Sequence, residues 1–247
     1  MISFLYAAVV YVVGRMFWYS DDRPKQAREL AAIGLVQWIA LVVAIRATLS
    51  WTIEALAAII VLAFTAASVE RALQSRDNLR WLSRLCVLLA GLIAFGYLAC
   101  HGDAEVRPGF HQASTWIASQ VAFGSLLTKV NWPILWSRTL GMALCWFEGG
   151  TVVRLSMALM NVQPPKAADA ENKFHNSALI GAVERALVVV FVFNGAFNAV
   201  AFILTAKSVV RFHDIVSTKD AAEYVLIGTL LSTLTAIGIG LLVPQFA

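Results

Sequence analysis

The sequence predicts an all-α fold: a polytopic transmembrane helical bundle of seven or eight spans, forming one integral membrane domain over residues 1–247. Three observations predict it. Sixty per cent of the residues are hydrophobic and 14% are charged, against about 45–50% and about 25% in soluble domains. Mean hydropathy is +0.74, and a soluble chain of this length has too small a core to hide that much apolar surface. The apolar residues also gather into runs close to the roughly 20 needed to cross hydrocarbon. A soluble enzyme, a disordered chain and a secreted disulfide scaffold are excluded.

The first run, Ile2–Tyr19, lacks the basic leader and small-residue cleavage site of a signal peptide. Its charges, Arg15, Arg23, Lys25 and Arg28, come near or after its end. That order predicts a retained helix with its N-terminus outside. Leu30–Leu49, Trp51–Val69 and Leu82–Cys100 complete a four-helix N-terminal part over residues 1–110. Gln112–Thr128 alternates apolar with polar residues, and two readings stay open for it. It is a span buried among other helices or an amphipathic helix in the interface.

Trp132–Glu148 is a short span that carries Arg138 one turn in, from where a basic side chain snorkels to the headgroups. Gly150–Met160 is too short to cross and reads as re-entrant or interfacial. The longest polar loop is Asn161–Ser177, with Pro164 and Pro165. Ala186–Ala206 and Ala221–Val243 are the last two spans and make a helical hairpin within residues 176–247.

Lysine and arginine set the orientation. With eight spans and the N-terminus outside, 13 of the 19 basic residues face inward and 6 outward. If Gln112–Thr128 does not cross, the division is 12 and 7. One residue separates these, so the rule does not choose between eight spans and seven. The net charge of +4 belongs to cytoplasmic loops, and no basic stripe with interleaved aromatics points to nucleic acid. Cys86, Cys100 and Cys145 lie in or beside apolar runs, without metal-ligand spacing, and read as small packing residues.

Polar groups at membrane depth are costly and each asks for a reason. Arg46, Glu54 and Glu148 lie near predicted outer ends, either as a polar network or as solvated interfacial charges. Asn194 and Asn198 stand four apart on the Ala186–Ala206 helix with Gly195 between them. In hydrocarbon they bond to another helix or line a solute pathway. A charge at mid-depth would favour the pathway, and the predicted spans place none there. His101, Asp103, Glu105 and His111 share one outer loop, where solvation is the plain reading. No HExxH, GxSxG or phosphate-loop pattern occurs, so neither metal nor cofactor is expected.

The C-terminal third carries three motifs in order. Ile180-Gly181 with Glu184-Arg185 precedes the long apolar helix. Ala206-Lys207-Ser208 with Arg211-Phe212 ends it. Ala222-Glu223-Tyr224, then Leu226-Ile227-Gly228-Thr229 and Ser232, open the last helix. This order resembles the C-terminal part of a bacterial membrane family, domain of unknown function 3307, over residues 179–232. The resemblance implies a bacterial inner-membrane location and a helical architecture, and it implies no reaction. The chain departs from the family's NAGRxIG pattern, having Ser177 and Ala178 where glycine and arginine stand. Residues 1–110 also lack the HxxxDF segment of longer members, so no hydrolase role carries over.

The motif residues have physical readings of their own. Glu184-Arg185 and Lys207 with Arg211 bracket a helix of about 20 residues, with charges at each interface. Antiparallel neighbours would bring Glu223 to Arg211 as an ion pair. Ser208 is placed to bond a carbonyl one turn back. Gly181, Gly228 and Ser232 are small enough for close helix contact. The expected function is a non-enzymatic membrane component acting by helix packing, in the lipid bilayer, with a second copy or other membrane proteins as partners. A small-solute transporter or channel is the second expectation and a membrane-embedded enzyme the third.

Overall fold

The computed structural model describes residues 2–18, 27–73, 77–101, 105–107, 112, 131–162, 170–210 and 219–243. Apart from one pair of two-residue strands, the elements described are helices. They are α1 (Ile2–Trp18), α2 (Ala27–Ala44), β1 (Ile45–Arg46), α3 (Leu49–Ala72), α4 (Asp77–His101) and β2 (Glu105–Val106). Then come α5 (Trp132–Ala143), a π-helical turn (Leu144–Glu148), α6 (Gly149–Leu159), α7 (Ala170–Phe193), α8 (Phe197–Val210) and α9 (Lys219–Leu242). They fall into two compact units. The first is Met1–Ser75, Cys86–Leu140 and Phe246–Ala247; the second is Arg76–Leu85 and Gly141–Gln245.

Among the described residues, three helices are long and apolar enough to cross a membrane: Leu49–Ala72, Leu79–Cys100 and Ala222–Leu242. Ile2–Trp18 and Phe197–Val209 are apolar but shorter. This is fewer than the seven or eight spans expected, and two breaks of the expected pattern explain part of the difference. The Ala186–Ala206 run is not one helix, because the chain reverses at Asn194-Gly195-Ala196. Trp132–Glu148 and Gly150–Met160 are not two segments either. They form one continuous helical rod, with a π turn at its centre, that carries Arg138, Glu148 and Arg154. Most of the Gln112–Thr128 run lies outside the described residues.

Only 22–28% of each long span is buried within the chain. Phe64, Ile93 and Leu234 stand well exposed on α3, α4 and α9. In water such faces would be an aggregation surface; a bilayer would cover them.

The first unit is tied together by aromatic side chains that bury their rings and bond a carbonyl on the next helix, as buried tyrosine and tryptophan commonly do. Tyr6 Oη donates to the Ala40 carbonyl on α2 at 3.2 Å. Tyr11 Oη donates to Val87 on α4 at 2.6 Å. Trp38 Nε1 donates to Thr52 on α3 at 2.9 Å, and Trp51 Nε1 to Leu98 on α4 at 2.9 Å. Tyr6 also meets Trp136 of α5 edge to face, with ring centroids 4.9 Å apart. Arg15, expected as a loop-side charge, is instead almost fully buried. Its Nη1 donates to Tyr11 Oη at 3.4 Å and its guanidinium lies over the Tyr11 ring.

The strands were not expected. Ile45 pairs with Val106 and Arg46 with Glu105, antiparallel, and Arg107 N–H donates to the Ala44 carbonyl at 2.8 Å. They join the α2–α3 connection to the stretch after α4, two segments that the predicted orientation puts on the same outer side. Thr48 caps α3, its hydroxyl accepting from Trp51 N–H at 3.4 Å, which satisfies one of the first free amides of the helix.

Tyr11→Phe removes the Val87 bond, and with it the hydroxyl that accepts from Arg15, while keeping the ring. We expect a loss of about 1 kcal/mol, read as a fall of about 2–4 °C in thermal unfolding of the detergent-solubilised chain. An unchanged midpoint would show that the α1–α4 bond adds nothing.

Candidate functional site

The site is in the second unit and begins with the reversal between α7 and α8. Gly195 has φ +67°, a left-handed conformation open to glycine and costly for other residues. Its N–H donates to Val192 at 3.0 Å and that of Ala196 to Phe191 at 2.9 Å. These two bonds are the Schellman pattern that closes a helix end. Asn194 is the C-cap residue, and its side-chain amide donates to Val190 of its own helix at 2.7 Å. Asn198 lies in the first turn of α8. Both are exposed and no longer share one helical face, because the helix on which they were counted breaks between them.

The reversal brings together charges that the sequence placed at opposite membrane faces. Lys207 Nζ lies 2.5 Å from Glu184 Oε2, with side-chain exposures of 9% and 23%. The two residues sit 11 before and 12 after the turn, so one hairpin with arms of about 16 Å closes on this ion pair. Arg211, the other proposed partner for a carboxylate, lies outside the described residues, and Glu223 is exposed. Ser208 donates to Leu204 one turn back at 2.9 Å, as its position predicted.

Arg185, next along α7, points elsewhere. It is 8% exposed, and its Nε donates to the Cys145 carbonyl at 3.3 Å. That carbonyl belongs to the π turn, where the Gly149 N–H bonds back to Leu144. An i→i+5 turn is wide and spares backbone groups for other partners. Gly149, Gly150 and Gly181 surround the guanidinium. A Cβ at these positions would stand 2.9 Å from Nε, 3.5 Å from Nη2 and 3.4 Å from Nη1. The missing side chains are the room the arginine occupies. Glu148 is buried at the end of the π turn.

Below this centre, α9 supports both neighbours. Gly228 faces Met157 of α6, with its sulfur 3.6 Å from a Cβ placed there, and Gly240 faces Val192 of α7 at 2.7 Å. Between them Ser232 and Ala236 are buried. The four stand at every fourth position, the spacing of a close-contact helix face. Gly228 and Ser232 were read from the motifs; Ala236 and Gly240 continue the same pattern and were missed.

At the Arg76–Leu85 segment of this unit, the guanidinium of Arg84 lies 4.7 Å and that of Arg154 4.9 Å from the Trp81 ring centroid. None of these three was singled out in the sequence. The signal available was a tryptophan among arginines at the start of α4.

The remaining expected site residues are dispersed. Arg46 and Glu54 are exposed in the first unit, with no side-chain ion pair between them among the described residues. Asp103 and His111 lie outside the described residues. Among those described, no group of three or more histidine, cysteine, aspartate or glutamate residues is placed to hold a metal. Cys145 is buried while Cys86 and Cys100 are exposed.

No protein family, curated protein or solved structure matches the chain. The resemblance of its C-terminal third therefore rests on the quoted motifs alone.

A double-mutant cycle tests the hairpin clamp. Glu184→Gln or Lys207→Met leaves one charge without its partner in an apolar setting and costs about 3 kcal/mol. The double variant recovers most of that loss. Additive single losses, measured by unfolding in detergent, would show that the pair carries no coupling.

Proposed function

We propose that the chain is a multi-pass protein of a bacterial inner membrane that binds and moves a small anionic solute, without enzymatic chemistry of its own. The carrying observation is the charged centre of the second unit: Arg185 and the Glu184–Lys207 pair, held among apolar helices. Ionisable groups inside membrane helices are expensive and tend to mark solute or ion pathways. A charge at depth was the feature that would favour a pathway over simple packing. The reversal at Gly195 supplies it by folding one apparent span into two short arms. Broken helices around a central site recur in transporters.

The topology that goes with this reading keeps the N-terminus outside. Tyr6 of α1 and Trp136 of α5 stack edge to face, which supports starting both helices on the outer side. Arg84 and Arg154 share the Trp81 ring, which supports ending α6 on the inner side, where α4 begins. With α4 ending and α5 starting on the same side, this reading counts no crossing between them. The crossings are α1 to α4, the α5–α6 rod, the two hairpin arms and α9, which is eight, though not the eight first read from the sequence. Arg46, Arg107, Lys129 and Arg138 fall outside, Arg185 and Lys207 at depth, and the other 13 of the 19 basic residues inside. That division favours the inside more strongly than either earlier one.

Association with a second copy or another membrane protein is the second reading. Its support is Gly238 on α9, which has nothing within 4 Å of a Cβ placed on it and lies beside the exposed Leu234, Leu241 and Leu242.

Two measurements test the proposal. Single cysteines at positions 154 and 173 should label from the cytoplasmic face, and those at 107 and 129 from the outer face. Labelling of 154 from outside would overturn the topology. Proteoliposomes holding the folded chain should take up small labelled carboxylates or inorganic phosphate faster than protein-free vesicles. Equal rates across the panel would overturn the transport reading and leave association.

A further inference from the structure

Two buried polar atoms of the first unit have no hydrogen-bond partner in the chain: Trp18 Nε1 and Gln37 Oε1. Each of the two residues is only 4% exposed. The indole nitrogen can only donate and the amide oxygen can only accept. Burial strips each of its hydration, and nothing in the chain replaces the lost bond. This is not a general habit of the unit. Trp51 is as deeply buried, at 3%, and its indole N–H is satisfied by the Leu98 carbonyl.

The two atoms border the same stretch of α1. Gln37 reaches from α2 onto Gly14, where a Cβ would overlap its amide. The missing side chain is what lets the amide sit there. Gln37 Nε2 donates to the Val10 and Tyr11 carbonyls, each at 3.4 Å, on the N-terminal side of Gly14. Two carbonyls facing that end of the amide identify it as the nitrogen. Oε1, on the other arm of the amide, therefore turns toward the C-terminal side of Gly14. Trp18 stands there, one turn after Gly14 on the same face of α1. Its side chain leans back along the helix, far enough to meet the Tyr11 ring edge to face with centroids 6.0 Å apart. The indole and the amide thus converge over Gly14, a donor and an acceptor that do not bond each other.

We propose that Trp18 and Gln37 bind one internal water molecule, which accepts from the indole N–H and donates to the amide carbonyl, and so bridges α1 to α2. A group that serves both atoms must accept and donate at once, which a hydroxyl does and a carbonyl or an ammonium does not. Water is the smallest such group, and buried waters characteristically sit between polar atoms that the chain leaves unpaired. Such a bridge is nearly as favourable as a direct bond. The site is independent of any transported solute and stands or falls without the transport reading.

The test exposes the full chain in nanodiscs to hydroxyl radicals generated by X-rays, which oxidise a buried side chain where a bound water lies beside it. Trp18 should be oxidised and Trp51, equally buried but bonded to a carbonyl, should be protected. Gln37→Leu removes the acceptor. With an unchanged circular dichroism spectrum, it should lower the labelling of Trp18 to the level of Trp51. Should that variant fail to fold, ultraviolet resonance Raman spectra of the wild-type chain and of Trp18→Phe read the same bond by difference. The Trp18 indole band should then lie at its hydrogen-bonded position. Protection of Trp18 equal to that of Trp51 would overturn the site. So would labelling that survives Gln37→Leu, or an indole band at the position of a free N–H.

Discussion

The second unit depends on how closely α9 approaches its neighbours. Membrane helices gain little from the hydrophobic effect against each other, because lipid tails are as apolar as leucine. What holds them is contact, and contact requires small residues where backbones meet. Gly228, Ser232, Ala236 and Gly240 supply that face on α9, against Met157 on one side and Val192 on the other. Val188, Val189, Val192, Val200 and Cys145 pack with Ala236 in one core cluster. The position of α7 and the hairpin arm that returns beside it follow from this contact.

From that placement the chemistry follows in order. The π turn widens the rod between α5 and α6 and releases the Cys145 carbonyl. Gly149 and Gly150 then leave the space into which Arg185 reaches from α7. The reversal at Gly195 turns the chain back, so that Lys207 arrives beside Glu184. Each step puts a charge where hydrocarbon would otherwise be, and each is offset by a specific partner or by a specific absence of side chain. Asn161, with φ 57°, ends α6 in the same left-handed way.

The helical, strongly apolar character was legible from composition, because apolar excess is a property of the whole chain and survives errors of detail. The starts and ends of α1, α3, α4 and α9 were legible within a few residues for the same reason. The reversal inside Ala186–Ala206 was not, since Asn194-Gly195 sits in an apolar run with no proline or charge to mark it. Only the left-handed glycine reveals the turn, and hydropathy does not register backbone dihedrals. The continuity of Trp132–Leu159 was hidden for the opposite reason: Glu148, Gly149 and Gly150 resemble a loop but lie inside a helix. Arg185 and Lys207 were named from the motifs, yet their setting depends on that hidden turn. The burial of Arg15 beneath Tyr11 had no signal in spacing at all.

The claim that the α9 face organises the second unit is tested most directly by comparing two glycines two residues apart. Gly240→Ala puts a Cβ within 2.7 Å of Val192, whereas Gly238→Ala puts one in open space. Unfolding of both variants in detergent should show Gly240→Ala destabilised by about 1–3 kcal/mol. Gly238→Ala should be neutral or more stable by up to about 1 kcal/mol, from helix propensity alone. Equal effects at the two positions, or a greater loss at Gly238, would contradict the account.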